Sequence, residues 1–169
     1  MDKLVAAFFL LLILCADCTE TAAQDASTRF GLGAGVVINP SNREVSDDDL
    51  GVDLRGRISL PVSEAVSVAA DIGTFIFSHN DRTEYVLNPQ VSLIVTLGGT
   101  RRFPYFMAGA GAVLPAEQDK ESQLEVHVGY GWAWPFGTRM SAFVEIDPLV
   151  AFRQEGIAVM VPVRGGLIF

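Results

Sequence analysis

Along most of this chain, apolar residues alternate with glycine or polar ones at every second position, the side-chain period of a β-strand. From Ile157 to Phe169 one face carries Ile157, Val159, Val161, Val163, Gly165, Leu167 and Phe169. Ala158, Arg164 and Gly166 are among the residues between them. Seven earlier segments repeat the pattern, at 29–38, 50–60, 66–76, 85–97, 105–114, 124–134 and 141–150. In all eight the apolar face is free of charge. The opposite face carries Asp53, Arg55, Arg57, Asp71, Glu125, His127, Glu145, Asp147 and Arg164. Such a split suits a face turned to acyl chains, where an Arg or Lys at mid-depth costs about 2–4 kcal/mol. Backbone groups in hydrocarbon must be paired within the fold, and a closed barrel is the only sheet that achieves it. The chain is therefore predicted to be all-β, an eight-stranded antiparallel up-and-down transmembrane β-barrel.

Alternation alone leaves open whether the apolar face turns inward, as in a soluble ligand-binding barrel, or outward. Glycine decides for outward. Gly31, Gly33, Gly35, Gly109, Gly111, Gly129 and Gly131 all fall on the polar face. An eight-stranded interior is just wide enough for side chains to fill, so small residues belong there. Phe30, Tyr130, Trp132, Trp134 and Phe169 fall on the apolar face near the short turns, where they would form an interfacial girdle. The connections after the first, third and fifth strands read as longer polar loops, and those after the second, fourth and sixth as short turns. The last, near Gln154, is short. Pro89 and Pro148 each remove a ladder donor within a proposed strand, so a bulge is expected at either.

The one long apolar run, Leu4 to Ala16, is too short for a membrane helix and follows Lys3. It reads as a secretory signal peptide, 1–23, cut after Ala23, with Thr21 and Ala23 as the small residues. The barrel domain is then 24–169. Cys15 and Cys18 both lie in the leader, which leaves the barrel without thiols or disulfides. The net charge is −8, and Asp2, Lys3, Asp17 and Glu20 of the leader account for −2 of it. An acidic chain without Lys/Arg clusters argues against nucleic acid as a partner.

The run from Pro104 to Gly111, the aromatic sixth strand and the final Phe169 resemble the OmpA-like family of small eight-stranded outer-membrane barrels, from Thr28 to Phe169. The closing strand, with Val163, Gly165, Leu167 and Phe169, looks like the terminal strand that the barrel-assembly machinery reads. Its polar-then-glycine spacing is shifted, with Arg164 directly before Gly165. The resemblance implies a Gram-negative outer-membrane location and contact with outer-membrane lipid and lipopolysaccharide. It also implies handling by the assembly machinery through the last strand. A monomer is expected.

Buried charges need partners. Register set by the short turns, with the second strand turning at 61–64, predicts Arg55 opposite Asp71, His127 opposite Asp147, and Glu145 near Arg164. Three functions are compatible with such a lumen. The leading one is a non-enzymatic integral outer-membrane protein, structural or surface-binding, with a polar lumen filled by side chains. The second is a narrow ion-conducting pore whose ion pairs exchange partners. The third is a lipid A-modifying barrel enzyme. It would use His127 as base with Asp147 as orienter, but Gly109 and Gly111 beside His127 offer no nucleophile. His79 sits in a loop, and the His-x-Ser arrangement of the lipid A deacylase family is absent. Asp47, Asp48 and Asp49, with Glu44 nearby, lack the ligand spacing of a calcium loop. No metal site and no cofactor are expected.

Overall fold

The computed structural model describes residues 28–40, 50–79, 82–98, 103–117, 120–136, 140–153 and 156–169. The leader with its cleavage site, and the acidic run at 47–49, lie outside them. Among the described residues nine strands form: β1 Arg29–Ile38, β2 Leu50–Pro61, β3 Val66–His79, β4 Arg82–Thr96, β5 Phe103–Pro115, β6 Gln123–Phe136, β7 Met140–Ile146, β8 Leu149–Arg153 and β9 Gly156–Ile168. β7 and β8 pair with the same two neighbours, β6 and β9. They are two halves of one strand interrupted at Asp147 and Pro148, so eight strands go round. Pairing of β1 with β9 closes the sheet, and every ladder is antiparallel.

The closure is staggered. Starting at Pro135 on β6, the paired residues are Ser141, Ile168, Gly31, Arg57, Asp71, Gln90, Gly111 and finally Glu125. The circuit returns to β6 ten residues from its start. That shear tilts the strands and sets the width of the interior.

The faces fall as the alternation requires. Leu32, Val52, Leu54, Ile72, Leu93, Val128 and Val144 are exposed, while the residues between them are buried or half-buried. Among the described residues, no Asp, Glu, Lys or Arg lies on the outward face of a strand. The lumen is layered. At the loop end Val37, Phe75, Phe77, Val86, Leu149 and Met160 belong to one buried apolar cluster. Toward the short-turn end Ala69, Ile94, Tyr105 and Met107 form a second. The charges lie between them.

Three expectations need correction. Neither proline carries a bulge. Pairs on both sides of the break at Pro148 keep one register, Tyr130 with Ile146 and His127 with Leu149. Backbone bonds from Val128 N to Pro148 O and from Asp147 N to Pro162 O, each 3.1 Å, hold the break in line. Register is equally continuous past Pro89, and Asn88 Nδ2 donates to Ala112 O at 3.0 Å. That side chain serves the carbonyl opposite a residue with no N–H. Next, Ser78, His79 and Arg82, expected in the polar loop after the third strand, belong to the ladder. β3 and β4 pair as far as His79 with Arg82, leaving 80–81 as the connection. Polar residues can continue a ladder beyond the apolar belt, because water satisfies their side chains there. Last, the connection after β4, 97–102, is nearly as long as that after β5, 116–122, so the alternation of long and short connections does not extend past 39–49.

Candidate functional site

All nine inward charges predicted from the sequence are buried. Glu145 is their hub. Its Oε1 accepts from Arg57 Nη2 at 3.1 Å and Arg164 Nε at 2.5 Å. Its Oε2 accepts from Arg57 Nη1 at 3.0 Å and the Tyr105 hydroxyl at 2.6 Å. Four donors fill the acceptor capacity of one carboxylate, and the two from Arg57 make the bidentate fork that strengthens such pairs. Arg164 extends the network, donating through Nη1 to Asp53 at 2.8 Å and through Nη2 to Asp147 at 2.5 Å.

The expected pairing of Glu145 with Arg164 is formed. The pairing of Arg55 with Asp71 is not. Arg57 faces Asp71 and bonds it at 2.7 Å, while Arg55 stands opposite Gly73. The turn lies at 62–65 rather than 61–64, closed by Val62 N and Ser63 N donating to Val66 O. A shift of one residue in the turn moves each cross-strand partner by two, which preserves the face and changes the pair. His127 is likewise opposite Leu149 rather than Asp147.

Of the lumen bonds that reach beyond the neighbouring strand, four pass over a glycine in register. Arg55 crosses Gly73 to Asn88 at 2.7 Å. Ser92 crosses Gly109 to His127 at 2.9 Å. Tyr105 crosses Gly131 to Glu145, and Arg164 crosses Gly35 to Asp53. The glycines are what make the reach possible. A Cβ on Gly131 would sit 2.5 Å from Tyr105 Cζ, and one on Gly109 would lie 2.0 Å from Val91 O and 2.8 Å from the His127 ring. Sequence reasoning missed Tyr105, Ser92, Asn88 and Gln90, the last of which accepts from Arg55 Nη1. A polar residue facing a glycine that faces a second polar residue is the signal that finds them.

One part of the network has an order known from catalysis. His127 Nε2 meets Ser92 Oγ at 2.9 Å, and Nδ1 meets Glu125 Oε1 at 3.3 Å. That is a hydroxyl, an imidazole and an orienting carboxylate. Glu125, not Asp147, is the orienter, and the hydroxyl comes from β4 rather than from β5. None of the three reaches solvent, with exposures of 1% for Ser92, 2% for His127 and 1% for Glu125. Among the described residues, no group of His, Cys, Asp and Glu is arranged to hold a metal ion.

Outside, the aromatic residues gather at the short-turn end. Phe30 and Phe169 exchange two backbone bonds, Tyr130 packs on Phe106 at 4.9 Å between centroids, and Trp132 lies edge-on to Tyr130 at 4.7 Å. Phe30, Trp132 and Phe169 are exposed, and Tyr130 and Trp134 are half-buried. Phe106 joins this level, and Tyr85 and Phe152 stand exposed near the other rim. On β6 the ten steps from Leu124 to Trp134, at about 3.3 Å each and a tilt of about 40°, span about 25 Å of depth. That is the height of the apolar band in outer-membrane barrels. Val163, Gly165 and Leu167 lie in this outer surface beside Phe169.

No known family model matches the chain, and no curated protein does. Solved structures do match in shape. Neisserial surface protein A (NspA) superposes with a TM-score of 0.66 at 10% identity, over 86% of this chain and 98% of that one. The N-terminal β-barrel domain of Pseudomonas aeruginosa OprF gives 0.55 at 15% identity, over 86% and 100%. Ail of Yersinia pestis gives 0.51 at 9% identity, over 85% and 97%. With its eight strands, closed register and charge-free outer belt, this chain has the fold of the small bacterial outer-membrane β-barrels.

Proposed function

We propose that the protein is an integral outer-membrane barrel with a structural or surface-binding role, no enzymatic activity and a lumen closed by its own side chains. The observation that carries this reading is the layering of the interior. Ions crossing the barrel would have to pass the apolar cluster of Val37, Phe75, Phe77 and Met160 as well as the charged layer. The charges themselves are engaged with one another at 2.5–3.1 Å. In the membrane, the outer belt contacts lipid and the lipopolysaccharide leaflet. Val163, Gly165, Leu167 and Phe169 on the closing strand offer the assembly machinery its recognition face, and the barrel works as a monomer. Purified protein is expected to migrate differently on gels before and after boiling, and to give no conductance steps in planar bilayers. Discrete steps from the folded form would replace this reading with the narrow pore.

The order Ser92–His127–Glu125 favours a second reading, a barrel enzyme that modifies lipid A or another acyl ester. Against it, a nucleophile must meet its substrate, and Ser92 lies buried within the packed lumen with the His127 ring over Gly109. Incubation of the folded barrel with a fluorophosphonate probe should leave Ser92 unlabelled. Labelling that disappears in Ser92→Ala would establish the enzyme.

A further inference from the structure

Inside the charged layer a cavity of about 10 Å³ remains, bounded by Gly31 and Gly33 of β1 and by Arg55, Arg57, Asp71 and Glu145, among others. That is enough space to hold a water molecule. Two of the side chains that line it carry polar atoms without partners, Arg55 Nε and Asp71 Oδ2. Both residues are 5% exposed, so bulk solvent does not serve these atoms. An unpaired buried donor or acceptor costs about 1–3 kcal/mol, and more for a charged group.

We infer that this cavity is a binding site for one ordered water molecule, which accepts from Arg55 Nε and donates to Asp71 Oδ2. The chemistry selects water over an ion. The cavity presents one nitrogen and one oxygen that have no partner at all, and a ligand that both accepts and donates satisfies the pair. A cation would have a single free oxygen and would face Arg55, Arg57 and Arg164, all on the cavity wall. An anion would face the carboxylates of Asp71 and Glu145 at close range. The water also completes a connection that direct bonds leave open. Arg55 bonds Gln90 and Asn88, whereas Asp71, Arg57, Glu145 and Arg164 form a separate chain. One water between Arg55 and Asp71 joins the two sets into a single network. The β1 glycines make the room. A Cβ at Gly31 would meet nothing closer than 3.4 Å, so a methyl there enters the cavity without clash.

The test is a hydration spectrum of the full barrel folded in detergent micelles, recording cross-relaxation between water and the Arg55 Nε–H. The expected result is a cross-peak with the opposite NOE and ROE signs of a long-lived bound water, lost in Gly31→Ala while the Arg55 and Arg57 Nε–H resonances themselves are retained. Absence of the peak from the unsubstituted protein overturns the site, as does its persistence in Gly31→Ala. Crystals grown in bromide supply a second reading. No anomalous peak is expected between Arg55 and Gly31, and a peak there would assign the cavity to an anion instead.

Discussion

Arg164→Met is expected to lower the unfolding free energy of the barrel by about 3–5 kcal/mol, the penalty for stranding buried charges whose partner is removed. Arg164 is 2% exposed and donates to Glu145, Asp53 and Asp147 at once. Glu145 would keep Arg57 and Tyr105. Asp53 and Asp147 would not be so placed, because the second oxygen of each, Oδ1, already lacks a partner. Lysine should not rescue the position, since one ammonium cannot reproduce a planar fork reaching three carboxylates. Adding Asp53→Asn and Asp147→Asn to Arg164→Met should recover most of the loss, because a network removed together leaves little charge unpaired. Guanidinium unfolding of the detergent-folded protein, followed by tryptophan fluorescence, measures all of these. A triple variant no more stable than the single one would show that Arg164 acts through packing and not through charge.

The second large effect belongs to the outer face. Val128→Arg is expected to cost about 2–4 kcal/mol in lipid, because Val128 sits near mid-belt and is 65% exposed. Thr83→Arg, on the same face but beside the rim, should cost about 0–1 kcal/mol. On a protein surrounded by water both substitutions would fall within about 0.5 kcal/mol of neutral. The gradient with depth is therefore the informative quantity. Equal small effects at the two positions would remove the lipid from this description.

Strand existence and facing were legible because both depend on one local property, the period of two. A belt that must exclude charge writes that period without exceptions, from Phe30 to Phe169. Register was less legible, because it depends on where each turn closes. Reading the turn at 61–64 instead of 62–65 kept Arg55 inside and gave it the wrong partner. The reach of the lumen side chains was hidden for a different reason. Adjacent-strand logic places Gly109 beside His127 and stops there, whereas the imidazole lies over that glycine and meets Ser92 one strand further on. The same geometry joins Tyr105 to Glu145 over Gly131. Glycines on the inward face signal, from the sequence alone, only a crowded interior. Gly35, Gly109 and Gly131 are specific passages, each aligned with one long side chain. The extent of β3 and β4 was also missed, because Ser78, His79 and Arg82 have loop-like chemistry while the ladder runs past the apolar belt.

The chain holds two tryptophans, Trp132 and Trp134, and both lie on the outward face at the short-turn rim. Their fluorescence in reconstituted vesicles therefore reports which medium that face meets. With the apolar belt in acyl chains, lipids brominated near the headgroup should quench the emission strongly. Lipids brominated at the chain end should quench it less, and aqueous iodide hardly at all. Strong quenching by iodide with none from either brominated lipid would contradict the outward-apolar barrel.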